Sequence, residues 1–194
     1  MRSRALLLVL LLSCAPKLAS FKINPSGQAQ VFAELPVSWT FDCAFPREMK
    51  ADARDGFNYW NRILGHTVFE EITGCGVLSL LEHSTPRVFV TTVTTMHPTH
   101  PHHIGTTTIG LVGGVPRSGV LRYYRPWLEH TSRAGRASVA RHEVGHALGF
   151  EHSEVEWCLM YHEIEMKEYR DKPKMACRHE IEAARRRYPT EERR

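Results

Sequence analysis

Residues 142–153 read His-Glu-Val-Gly-His-Ala-Leu-Gly-Phe-Glu-His-Ser, and this stretch constrains the chain more than any other. On a helix, His142 and His146 stand four residues apart, so their rings project from one face a turn apart. Two imidazoles so placed can reach one zinc ion, each at ~2.0–2.1 Å. Gly149 follows three residues after His146, and glycine tolerates the positive φ at which helices end and chains turn. That turn can bring His152 back as a third ligand. Three protein ligands and an open fourth position make the pattern of a catalytic rather than a structural zinc. Glu143, next to the first ligand, is placed to hold a water and take its proton.

A helix from about Ala137 to Leu148 is expected to carry the motif. Ala140, Val144, Ala147 and Leu148 cluster on one side of it, with His142 and His146 roughly opposite, facing a cleft. The chain has 12 His and 13 Gly, so chance has to be weighed. Drawn at random from this composition, the five fixed positions recur in roughly three chains in ten thousand.

The remaining pattern predicts a single α+β domain over 35–190. Val37, Trp39 and Phe41 alternate within a strand from Leu35 to Asp42. Pro46 can open a helix, in which Met49, Ala53, Phe57, Trp60 and Leu64 fall at helical spacing before a stop at Gly65. Thr67 to Thr73, Val77 to Leu81 and the β-branched run Pro86 to Thr95 are strand candidates. Residues 96–103, with His97, His100, His102 and His103, read as a polar loop. Gly119 to Arg125 reads as an edge strand, because Arg122 and Arg125 lie in it and Pro126 closes it. A final helix from Lys174 to Tyr188 places Cys177, Ile181, Ala184 and Tyr188 on one face.

Residues 1–20 read as a signal peptide, with Arg2 and Arg4 ahead of the short apolar run Ala5 to Leu12. Leu11-Leu12-Ser13-Cys14 resembles a lipobox, with Cys14 as the lipid acceptor; Leu18-Ala19-Ser20 resembles an ordinary signal-peptidase site. Both readings place the mature protein outside the cytoplasm, secreted or lipid-anchored, with 21–34 as a polar tether. Four further cysteines then fall in an oxidising compartment. They allow three pairings, of which locality favours Cys43–Cys75 and Cys158–Cys177. The net charge of +4 is mild and unaccompanied by a nucleic-acid motif, so no nucleic-acid partner is expected. Membrane contact is expected only through the lipid anchor, and the protein is expected to be a monomer.

The stretch 142–152 resembles the metzincin signature His-Glu-x-x-His-x-x-Gly-x-x-His, which is followed by a Met-turn. Ser153 directly after the third histidine resembles the matrixin branch. So does Cys158-Leu159-Met160-Tyr161, with Met160 eight residues past His152. The resemblance covers roughly 35–188, sharply at 142–161 and in outline elsewhere. It implies a zincin-like twisted mixed sheet with an active-site helix, a Met-turn and a C-terminal helix. It implies a zinc metalloendopeptidase in which His142, His146 and His152 bind one zinc, Glu143 is the general base and Met160 forms a floor beneath the ligands. Its partners are then protein or peptide substrates, lying extended along the edge strand near Val120 to Arg125. Residues from about His162 to Lys172 are then expected to line the pocket for the side chain after the scissile bond.

There are departures from the family pattern. No Pro-Arg-Cys-Gly segment is present, so latency by that device is not expected. Matrixins usually hold a second zinc and calcium in Asp-rich loops, whereas Asp42, Asp52, Asp55 and Asp171 are the only aspartates here. Neither calcium nor a second zinc is expected. The rival reading is a zinc-stabilised binding module without catalysis, and Glu143 argues against it, because a structural site has no use for that carboxylate.

Overall fold

The alternation of Val37, Trp39 and Phe41 becomes strand β1 (Val37–Asp42), all three side chains being buried. Trp39 stacks on Phe57 at 4.0 Å between ring centroids, which fixes β1 against the first long helix. That helix, α1 (Lys50–Leu64), follows a 3-10 turn over Arg47–Met49 that Pro46 opens. It stops at Gly65, whose φ of 79° is left-handed and whose N–H reaches Asn61 O at 2.9 Å. The predicted stripe of Met49, Ala53, Phe57, Trp60 and Leu64 is wholly buried. Each of its large members contributes about 1.5–3 kcal/mol through burial.

This computed structural model describes residues 17–18, 20–23, 27–76, 87–94, 104–125, 129–162 and 172–190. Beyond β1, the strands are β2 (Phe69–Gly76), β3 (Arg87–Val93), β4 (Gly105–Val112) and β5 (Val115–Tyr124). They form one mixed sheet in the order β2-β1-β3-β5-β4, parallel throughout except for β4, which runs antiparallel to β5. The expected strand at Val77 to Leu81, the histidines of 97–103 and the signal peptide's charged and apolar regions lie outside the described residues. Both disulfides favoured by locality, Cys43–Cys75 and Cys158–Cys177, are formed.

The edge-strand expectation needs correction. The segment with Val120, Arg122 and Tyr124 is β5, an interior strand between β3 and β4, and the edge is β4. Arg122 is tolerated there because its side chain turns out to Thr108 Oγ1 at 3.1 Å. β4 and β5 form a hairpin through Gly113 and Gly114, with φ of 58° and 80°. A Gly-Gly pair between β-branched runs is a two-residue hairpin signal, and it marks β4 in the sequence.

The helix that carries the motif, α2 (Arg133–Ala147), starts earlier than predicted, at a cap where Ser132 Oγ accepts the Gly135 N–H at 3.0 Å. It also lacks the polar face expected opposite its apolar stripe. His142 and Glu143 are each only 5% exposed, because α1 packs on one side of α2 and the sheet on another. Gly56 permits the close α1 contact, since a Cβ there would lie 2.6 Å from Ala140 O. Trp60 Nε1 donates to Arg141 O at 2.8 Å across the same seam. The last helix, α3 (Arg178–Arg187), starts four residues later than predicted. Behind it, Tyr188 donates to Leu148 O at 2.9 Å.

The predicted tether is also packed. Phe21 and Phe32 are buried, and Phe21 pairs antiparallel with Phe150. Apolar residues in a polar-looking segment found the core there.

Candidate metal centre

The last turns of α2 carry His142 and His146, and the chain then reverses at Gly149, whose φ is 103°. A Cβ at Gly149 would overlap Gln30 O, so the reversal needs glycine for space as well as for its backbone angle. His152 returns as the spacing predicts. The three Nε2 atoms lie 3.1 Å (His142–His146), 3.1 Å (His146–His152) and 3.3 Å (His142–His152) apart. Tetrahedral ligands at ~2.0–2.1 Å from a zinc ion stand roughly 3.3 Å from one another, so the triangle fits.

The tautomers point the same way. His142 Nδ1 lies 2.8 Å from Leu159 O, and His146 Nδ1 lies 2.7 Å from Phe150 O. A carbonyl only accepts, so each Nδ1 carries the proton and each Nε2 offers a lone pair. Convergent lone pairs repel unless a cation sits among them. Carbonyls on the second nitrogen are the outer contacts that orient metal-binding histidines. Burial pushes the His142 imidazole down to about 3 and that of His146 well below its usual range, so both are neutral and ready to ligate at ordinary pH.

Met160 lies beneath the ligand helix. A Cβ on Gly145 would overlap Met160 Sδ, so the glycine inside the motif makes room for that sulfur. The turn 158–161 is fixed from both sides. Leu159 O receives His142, while the Leu159 and Met160 N–H groups donate to Glu180 at 3.2 and 2.9 Å. Glu180 is completely buried and also accepts the Cys177 N–H at 3.0 Å. Burial pushes its carboxyl up, and the backbone donors oppose that.

Glu143 lies against β4. Thr107 Oγ1 is 2.7 Å from its Oε2, and a Cβ on Gly105 would come within 2.8 Å of its Oε1. Burial raises its carboxyl to about 7 in the metal-free protein, against the pull of the Thr107 hydroxyl and Lys22. A divalent cation alongside would pull it down again.

The three predicted histidines therefore converge, Glu143 follows His142 in the helix and faces β4, and the His162 ring lies 6.5 Å from that of His152. The predicted pocket residues beyond His162 lie largely outside the described residues. Sequence reasoning missed Thr107, Gly105 and Glu180. Glu180 had a local signal as the third helical residue after Cys177, the capping-box position. A second cluster of metal-binding residue types, Cys158, Cys177, His179 and Glu180, is already committed. Its sulfurs form a disulfide and its carboxylate holds backbone N–H groups.

Among solved structures, the chain is similar to archaemetzincin from Methanopyrus kandleri, at 14% identity and a TM-score of 0.53 over 79% of this chain and 94% of that one. At that identity the likeness concerns the fold. No curated protein matches in sequence. The matrixin family model (Peptidase M10) matches residues 45–178, which takes in α1, the whole sheet from β2 on, the three histidines and the Met-turn. With that match over most of the chain, the protein belongs to the matrixin family of zinc metallopeptidases.

Proposed function

We propose that this peptidase is an endopeptidase acting on extended polypeptide, with Glu143 as general base. The observation that carries this reading is that the helix bearing His142 and His146 also presents the Glu143 carboxylate to β4, the outermost strand on that side of the sheet. Most of β4 is exposed or half-exposed, and its outer edge has no neighbouring strand among the described residues. A substrate segment adding to that edge bonds through its main chain, which favours extended protein with loose sequence preference. Zinc held by His142, His146 and His152 supplies a Lewis acid and lowers the pKa of water. Glu143 takes the proton of the attacking water and returns it to the leaving amine. Its buried setting, with a carboxyl that readily holds a proton, suits both transfers.

Export completes the proposal. The charged and apolar N-terminal run supports a secreted or lipid-anchored protein, and two disulfides suit an oxidising compartment. The test of function is hydrolysis of denatured casein with and without chelator. Glu143→Ala is expected to keep zinc and lose at least ~10²-fold in rate. His146→Ala is expected to lose zinc affinity itself. Zinc-loaded protein that cleaves no unstructured polypeptide would establish the binding-module reading instead.

A further inference from the structure

His142 is oriented by Leu159 O in the Met-turn and His146 by Phe150 O, whereas Glu143 is reached from the sheet. Its carboxylate is held by β4, the strand to which substrate is proposed to add. Gly105 and Thr107 are two apart on that strand, so they present to the same side. One leaves the space in which Oε1 lies, and the other places a hydroxyl 2.7 Å from Oε2. We infer that Thr107 is a positioning residue for the general base, and that Gly105 is the gap that lets the carboxylate reach it. This rests on Glu143 being the base.

The geometry explains why a hydroxyl suits the position. Thr107 Oγ1 also lies 2.9 Å from the backbone carbonyl of Glu143. A hydroxyl has one proton to donate and lone pairs to accept with. When Glu143 is ionised, Thr107 donates to Oε2, a charge-assisted bond. When Glu143 has taken the proton from water on its other oxygen, Oε2 still accepts the Thr107 proton, and the new O–H stays free for the leaving amine. No bond to the carboxyl is lost in either state. The base therefore keeps one orientation while the proton arrives and leaves, and the hydroxyl is neither consumed nor charged. A carboxylate at 107 would have no proton to donate, and valine neither donates nor accepts.

The test compares Thr107→Val, which keeps the shape of the side chain, with Thr107→Ser, which keeps the hydroxyl. Thr107→Val is expected to lose about tenfold to a hundredfold in kcat, with KM changed by less than about twofold, as for a misaligned catalytic group. Thr107→Ser is expected to retain most of kcat. Zinc affinity of the chelated and reloaded protein should be unchanged in both. A readout independent of turnover is the ¹³C carboxyl resonance of Glu143 in metal-free protein, assigned by its loss in Glu143→Gln. It should move in Thr107→Val and stay in place in Thr107→Ser. Gly105→Ala provides a second route, moving the same resonance and lowering kcat by displacing the carboxylate, even if Thr107→Val does not fold. The double variant Glu143→Gln, Thr107→Val should be no slower than Glu143→Gln alone, since residues acting as a unit are not additive.

Wild-type kcat in Thr107→Val overturns the inference, and so does an equal loss in valine and serine variants or a loss that tracks zinc affinity. These outcomes are separable from failure of the general-base reading, which alone predicts that Glu143→Gln is inactive.

Discussion

Glu180 Oε1 accepts the backbone N–H of Met160 at 2.9 Å, joining the C-terminal helix to the turn beneath the histidines. The same turn returns a carbonyl, Leu159 O, to His142 Nδ1 at 2.8 Å. A carboxylate 20 residues past Met160 therefore helps set the angle of the His142 ring. Glu180→Ala leaves the buried N–H groups of Leu159 and Met160 and the half-buried one of Cys177 without this acceptor. Each unsatisfied buried donor costs roughly 1–3 kcal/mol, so a loss of about 3 kcal/mol or more is expected in urea unfolding. Zinc affinity should fall with it. Glu180→Gln keeps an acceptor and should be milder on both measurements; equal effects would mean that charge, not the hydrogen bonds, fixes the turn.

The two disulfides should separate along the same line. Cys158–Cys177 ties the Met-turn to the N-terminus of α3, while Cys43–Cys75 ties the end of β1 to β2, far from the histidines. Replacing either pair with serine is expected to cost about 2–4 kcal/mol of stability. Only the Cys158, Cys177 variant should also weaken zinc binding. Competition with a chromogenic chelator measures this, and equal zinc affinity in the two variants would deny the Met-turn any role in holding His142.

How much of this could be read from the sequence depends on the range of each interaction. The histidine cluster was legible because His142, His146, Gly149 and His152 lie within one helix turn and one reversal. β1, α1 and the two disulfides were legible because alternation, a 3.6-residue stripe and short cysteine separations are local signals. The edge of the sheet was not. Arg122 made β5 look like an edge, although a long side chain can leave an interior strand at its margin, as Arg122 does towards Thr108. The buried second face of α2 was illegible for a related reason. His142 and Glu143 are polar residues that are nonetheless buried, so the helix pattern understates how enclosed it is. Thr107 acts on Glu143 across 36 residues, and nothing near either marks the pairing.

The N-terminal segment offers a third test. Ser20 O accepts the Glu151 N–H and Lys17 O accepts the Glu154 N–H, each at 2.7 Å, so this segment brackets the loop that carries His152. A protein beginning at Phe21 loses both bonds, and one beginning at Lys17 keeps them. The shorter form is expected to bind zinc about tenfold more weakly, the scale on which outer contacts tune a metal site. Equal zinc affinity would show that residues 17–20 are dispensable to the His152 loop.

The last prediction uses the burial of Glu143. Its carboxyl has an ordinary pKa of 4.5 and is raised to about 7 in the folded, metal-free protein, burial being the main cause. Between those values the folded protein holds a proton that the unfolded chain has released. The stabilising contribution is fully present below 4.5 and is lost as the pH rises to about 7, at roughly 1.4 kcal/mol per pH unit. His142 and His146, whose pKa values are lowered, run in the opposite sense, since the unfolded chain binds their protons more readily as the pH falls. They are present equally in Glu143→Gln and cancel in a comparison with wild type. After chelation, the stability of Glu143→Gln relative to wild type should therefore rise from pH 4.5 to 7 and then level off. Denaturant melts across that window measure it. Zinc should flatten the rise, because a cation beside the carboxylate removes the reason for it to keep a proton. A difference that is flat without zinc would show that water reaches Glu143 in the metal-free site.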